Sequence, residues 1–294
     1  MKVEAECAAC ILSRGAAEAT EATTNPALRF RAMNDLLRLL TKEFRPTVVP
    51  ADLGTKRDRV IRWVTSNSDP YKRSKRISNE KALKLLPYAR DLVAEGYARQ
   101  DRFKRACLCA IVGNIMEFDI PGHKFTFSGL RKSFREAAKD LVVDDISKVY
   151  DLAKKARTVL YLADNAGEIV FDTLFVEQLK DMGLGVIVAV KGAPVINDAT
   201  LEDAETSGMS KIADKVITTG TDAVGLALKE SSAEFLSVYS SVDLVFAKGM
   251  GYAETVTEYK LKKPHVLLFR TKCNPVANFF GVAREKNVAK LMPQ

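Results

Sequence analysis

Two hydropathic textures divide this chain. Through its first half, apolar residues recur about every 3.6 positions, the period of one helix face. That spacing predicts helices over 6–20 (ECAACILSRGAAEAT) and 26–44 (PALRFRAMNDLLRLLTKEF), the second stopping ahead of Pro46. A third helix reaches Thr65 before a polar, proline-bearing break. Two more run through 83–118 with a weak point near Gly96, and another covers 129–156. No strand-like alternation is visible before residue 155.

Beyond that point short runs rich in Val, Ile and Leu take over: TVLYLAD (158–164), GVIVAVKG (185–192), KVITTG (215–220), VDLVFAKG (242–249) and HVLLFRTK (265–272). They are apolar without alternation, as strands covered on both faces are. Amphipathic helices are predicted between them, over 168–183 and 222–240. The β-α-β-α order predicts an α/β fold, a Rossmann-like doubly wound, mainly parallel sheet preceded by an α-helical N-terminal domain. The boundary falls near residue 150, dividing 1–150 from 151–294.

Composition adds exclusions. At 47% hydrophobic and 28% charged the chain is an ordinary globular one. Its net charge of +8 is unevenly spread: residues 1–150 hold 28 Lys and Arg against 19 Asp and Glu, and the remainder is near neutral. The uncharged stretch 106–116 is too short to span a bilayer. MKVEAECAAC carries two Glu and no long apolar run, so no signal peptide is expected and the compartment expected is the cytoplasm. Two histidines, His123 and His265, exclude a multi-His metal site, and neither is expected to be catalytic. Cys7, Cys10, Cys107 and Cys109 could make a thiolate metal site, a disulfide, or small apolar positions on helix faces; Cys273 lacks an evident His partner.

In an open α/β sheet, ligands bind beyond the carboxyl ends of the strands. Here those ends read Asp164-Asn165-Ala166-Gly167-Glu168, Lys191-Gly192 with Pro194 to Asp198, Thr218 to Asp222, Lys248-Gly249-Met250-Gly251-Tyr252, and Arg270 to Pro275. Oxygen donors such as Asp and Asn suit hard divalent cations, and lysines beside them suit a phosphate. Asp, Asn and Gly after a strand also cap helices. Asp222 and Thr221 are expected to cap, Asp198 could cap or ligate, and Asp164-Asn165 exceed what one helix start needs. LADNAGE is no GxGxxG and no GxxxxGK[ST] occurs, which disfavours dinucleotide and P-loop binding.

These strand ends, DNAGE, PVINDAT, AKGMGYAE and FRTKCNP, resemble the damage-control phosphatase family, formerly domain of unknown function 89, which includes proteins described as acidic-residue methyltransferase-like. ECAACILSRGA and GNIMEFDI (113–120) resemble its prokaryotic branch with an N-terminal CxxC. The resemblance implies metal ligation by Asp164, Asn165 and Asp198, with Asp164 and Asp198 catalytic. It also implies substrate contacts by Asn114, Glu117, Glu168, Lys248, Gly249, Met250, Gly251, Tyr252 and Lys272. Glu117 stands where the family has Asp. Divalent-metal-dependent hydrolysis of small phosphate monoesters follows as the implied activity, with manganese, cobalt, nickel or magnesium as the ion. The nucleophile is either an activated water or Asp164 itself.

The implied partner is a small phosphorylated metabolite, with no membrane; an oligomer is left open. Two other classes compete. An S-adenosylmethionine-dependent carboxyl methyltransferase lacks its glycine loop after the first strand. A nucleic-acid-binding module could use the basic runs KRDRVIR (56–62) and YKRSKR (71–76), but Lys and Arg spaced along helices ordinarily form a solvated face.

Overall fold

The computed structural model describes residues 1–114 and 127–293. Seven strands form one sheet in the order β1-β7-β6-β5-β2-β3-β4. In chain order these are β1 (Leu141–Asp144), β2 (Thr158–Leu162), β3 (Gly185–Val190), β4 (Lys215–Thr218), β5 (Leu244–Lys248), β6 (His265–Arg270) and β7 (Asn287–Met292). All neighbours run parallel except β6 and β7. The predicted α/β class with a mainly parallel sheet is what the chain adopts.

Successive strand residues feed opposite cores, which is why the strand runs show no polar alternation. Val159 and Tyr161 face one apolar cluster, Leu160 and Leu162 the other. The first face is covered by α8 (Glu168–Asp181), and outside α8 lie α4 (Lys72–Ala94) and α5 (Arg99–Gly113). Helix α8 is therefore sandwiched and buried on nearly every side, not amphipathic as its sequence suggested. Three further helices, α1 (Glu6–Ala22), α2 (Pro26–Glu43) and α3 (Pro50–Thr65), pack mainly on one another around two small cores.

Three stretches depart from the sequence reading. The helix expected over 129–156 is interrupted. It splits into α6 (Phe127–Glu136), strand β1 and α7 (Ile146–Ala153), because Leu141–Asp144 finds a distant partner in β7. Strand β7 itself lies beyond the last expected strand. The helix expected over 222–240 shrinks to α11 (Ala233–Ser241), capped by Ser232, whose side chain accepts from the Phe235 N–H. Among the described residues no helix is long and apolar enough to cross a membrane.

Chain order reverses between β2 and β5, which lie side by side at the centre while β3 and β6 continue outward. Such a reversal opens a crevice at the carboxyl ends of the two central strands.

Candidate active site

The loop after β2 begins at Asp164 and is zipped to the loop after β3. Ala199 N–H donates to Asp164 O at 2.7 Å and Ala166 N–H to Asn197 O at 2.9 Å. Asn165 and Asp198 form an antiparallel bridge between them. This brings two acidic side chains from distant sequence into one buried place: Asp164 is 8% exposed and Asp198 4%.

Neither residue is a cap. Helix α8 starts after Gly167 without a side-chain cap. The helix after Asp198, α9 (Leu201–Thr206), is capped by Thr200 in a reciprocal box with Asp203. The capping expectation for Asp222 and Thr221 also fails. Asp222 accepts from Arg59 and Arg62 of α3, and Thr221 Oγ1 accepts from Ala223 N–H at 3.1 Å.

Amides position Asp164. Asn165 Nδ2 donates to Asp164 Oδ2 at 2.7 Å and to Glu168 Oε2 at 3.1 Å. Asn114 Nδ2 reaches in from the end of α5 to the same two carboxylates, at 3.1 and 2.5 Å. Gly249, at φ +78°, sits directly against Asp164, and a Cβ there would overlap that carboxylate. Only glycine allows both this backbone angle and this approach.

Burial pushes the Asp164 carboxyl well above the usual range, and the neighbouring charges of Glu168 and Asp198 add to this. Burial also raises Asp198, to about 6, against the pull of Lys191. Lys191 Nζ lies 3.5 Å from Asp198 Oδ2, an ion pair too long for a hydrogen bond, and that buried oxygen has no hydrogen-bond partner. Lys191 donates instead to Ala223 O and Gly225 O, at 2.8 and 3.0 Å.

Above these carboxylates opens a cavity of about 430 Å³. Asn114, Asp164, Asn165, Asp198, Met250, Gly251 and Lys272 line it, as do Cys7, Arg14, Arg57, Cys273 and Arg284. Lys272 Nζ donates to Asn114 O at 3.0 Å, tying the end of β6 to the end of α5. The sequence-derived set therefore splits. Seven of its residues line one cavity, while Glu168, Lys248, Gly249 and Tyr252 lie outside the lining. Glu117 and His123 lie outside the described residues.

Lys248 does not meet the expectation of a substrate contact. Its ammonium is fully buried and donates to Ala110 O at 2.9 Å, to Asp172 at 2.8 Å and to Glu168. Tyr161 OH donates to the same Asp172 oxygen at 2.7 Å. Lys248 is a foundation under Glu168. Tyr252 is likewise fully buried, its ring 4.7 Å below the Lys191 ammonium.

Sequence reasoning named Lys191 among the strand ends but left it out of the site set, and it missed Arg57 and Arg14 altogether. Arg57 gave no signal, because its basic run reads as a solvated face. In the fold it is buried, donating to Glu18 at 2.9 Å, while Arg59 and Arg62 pair with Asp222. The cysteines separate: Cys107 and Cys109 are core residues, whereas Cys7, Cys10 and Cys273 stand at the cavity. Among the described residues no three His, Cys, Asp or Glu side chains form a group that could hold a metal. A cation at the cavity floor would therefore rest on two carboxylates and the Asn165 amide. His265 is structural, bound to Tyr239 OH at 2.8 Å and Lys263 O at 2.9 Å.

Comparison with known proteins gives a consistent result along the whole chain. The profile of the damage-control phosphatase ARMT1-like domain matches residues 3–288. A protein of Methanocaldococcus jannaschii named uncharacterized protein MJ0202 is 36% identical, over 98% of this chain and 95% of its own. A damage-control phosphatase of Archaeoglobus fulgidus is 34% identical, over 99% and 100%. Damage-control phosphatase PH1575 of Pyrococcus horikoshii is 33% identical, over 99% and 96%. A crystal structure of PH1575, described as a DUF89 family protein, superposes with a TM-score of 0.87 over 98% of each chain. With the strand-end motifs converging on one cavity and the match extending nearly end to end, the chain belongs to the damage-control phosphatase ARMT1-like family.

Proposed function

We propose that this protein is a divalent-metal-dependent phosphatase acting on small phosphate monoesters, sugar phosphates or damaged phosphorylated metabolites. The observation that carries the reading is the floor of the cavity. Two carboxylates are buried together there, one with an oxygen that no hydrogen bond satisfies, beneath walls that include Lys272, Arg57, Arg14 and Arg284. Relatives named damage-control phosphatases support the same activity class.

The donor chemistry fits a hard cation. Asp164 and Asp198 offer carboxylate oxygens, and Asn165 donates its Nδ2 inward, which leaves Oδ1 as its donor oxygen. Burial and mutual repulsion disfavour the charged carboxylates, and a cation would relieve both. When bound, manganese, cobalt, nickel or magnesium supplies Lewis-acid charge to a phosphoryl group and a water.

The residues of the chain do the rest. Asn114 and Asn165 fix the Asp164 carboxylate, so the group that ligates or attacks is preorganised. Lys272, at the cavity wall, offers its ammonium to the equatorial oxygens as negative charge develops. Lys248, itself held by Asp172, holds Glu168, and Glu168 accepts from both amides.

The test is phosphate release from a panel of sugar phosphates by protein stripped with a chelator and reloaded with manganese. Activity should depend on the metal and be lost in Asp164→Ala. Full activity of that variant, or no phosphate release from any ester by the wild type, would reject the reading.

A further inference from the structure

Ile196 is a β-branched residue at φ +45°, in the left-handed region where such a side chain is strained. It stands two residues before Asp198, in the turn closed by Asp198 N–H donating to Val195 O at 3.0 Å. Strain of this kind persists only where surrounding contacts impose it. Here the contact is visible: Ile196 N–H donates to Asp58 Oδ1 at 2.9 Å. Asp58 is fully buried on α3, and its other oxygen accepts from Arg62 Nε at 2.6 Å.

Helix α3 is itself anchored to the next strand end. Arg59 and Arg62 bind Asp222, and Thr55 Oγ1 accepts from Val224 N–H at 2.9 Å. Asp58 is thus a fixed point, 138 positions away in sequence from the turn it holds.

We propose that Asp58 is a positioning residue for Asp198, holding the Ile196 turn in its strained form so that the Asp198 carboxylate faces Asp164 across the cavity floor. Without the Asp58 acceptor, isoleucine relaxes toward negative φ, the peptide planes of the turn rotate, and Asp198 leaves its place. The inference rests on the metal-site reading given above for its consequence, but not for the clamp itself.

The test compares four full-length proteins: wild type, Asp58→Ala, Ile196→Gly and the double variant. Manganese affinity is read by electron paramagnetic resonance, and hydrogen exchange at residues 195–198 by mass spectrometry. Glycine accepts positive φ without strain, so the clamp matters only to isoleucine. With Ile196 present, Asp58→Ala should weaken manganese binding about 10- to 100-fold, the usual effect of removing a group that orients a metal ligand. Exchange in the turn should quicken about tenfold, the factor for 1.4 kcal/mol.

In the Ile196→Gly background both changes should be less than half as large on a logarithmic scale. Equal changes in both backgrounds, or none with Ile196 present, overturn the proposal. Should Asp58→Ala not fold, Asp58→Leu takes its place, since it keeps the volume, lacks the acceptor, and leaves Arg62 paired with Asp222. A wild type that neither binds manganese nor releases phosphate defeats the metal reading, while exchange still decides the clamp.

Discussion

Replacing Gly249 by alanine tests the site with one carbon. Two penalties follow from the geometry. The first is backbone strain, since φ is +78° and a left-handed angle costs a non-glycine residue about 1–2 kcal/mol. The second is local: the new Cβ would overlap Oδ2 and Cγ of Asp164 and lie 2.9 Å from Oδ1. Ordinary contact requires the carboxylate to withdraw by more than about 1 Å, out of reach of the Asn114 and Asn165 amides, and a displacement of even about 1 Å costs about 100-fold in rate.

Gly208 separates the two penalties. It has φ +79° in the turn after α9, and a Cβ there meets nothing within 4 Å. Gly208→Ala should therefore show the strain alone, a fall in melting temperature of roughly 2–6 °C with kcat/KM unchanged. Gly249→Ala should show at least that fall and lose about 100-fold in kcat/KM on a phosphate ester with manganese. The assays are thermal unfolding and steady-state phosphate release, run side by side. Equal kcat/KM in the two variants would refute the role given to the Asp164 position.

Other substitutions separate foundation from site. Lys248→Met leaves Glu168 and Asp172 buried without their cation and should cost about 3–5 kcal/mol in denaturant unfolding. Lys272→Ala should leave stability within about 0.5 kcal/mol. On phosphate esters it should lower kcat/KM by tenfold or more, the scale of a lost charge-assisted hydrogen bond of about 1.5–3 kcal/mol. Burial raises the Asp172 carboxyl to about 6 despite the adjacent Lys248, so the folded state binds this proton more tightly than the unfolded one. Its contribution to stability is accordingly greatest below the unfolded carboxylate range and falls as pH rises toward 6. The melting temperature of metal-free Asp172→Asn relative to wild type should rise between pH 4 and pH 7, and a constant difference across that range would contradict the assignment.

Which parts of the site could be read in the sequence depended on how local their interactions are. The Asp164-Asn165 pair was legible because no single helix start needs both residues, and helix α8 indeed uses neither side chain as its cap. Asp198 was ambiguous in sequence, and two positions decided it: Thr200 and Asp203 form the capping box themselves, which leaves Asp198 to the cavity. Lys248 was placed at the correct strand end but given the wrong task. Its burial is made by Ala110 and Asp172 on helices far from it in the chain, and no local pattern reports that. Strands β1 and β7 escaped for the same reason, since each is short and is defined by partners that are not its neighbours in sequence: β1 and β7 lie more than a hundred residues apart, and a helix-bearing connection separates β7 from β6.

The charge asymmetry shows where such reasoning fails in a more general way. Several members of the basic excess of the first half have partners inside the fold. Arg59 and Arg62 answer Asp222, Lys75 answers Asp69, and Arg57 answers Glu18. What bears on an anion is the set of cations facing one cavity, and that set is drawn from both halves: Arg14 and Arg57 from the helical part, Lys272 and Arg284 from the α/β part. The carboxylates that would hold a metal come from the α/β part alone. Net charge counts residues along the chain, whereas a site selects them by direction. The near-neutral half therefore supplies the carboxylates of the cavity floor, and the basic half contributes Arg14 and Arg57 to its lining.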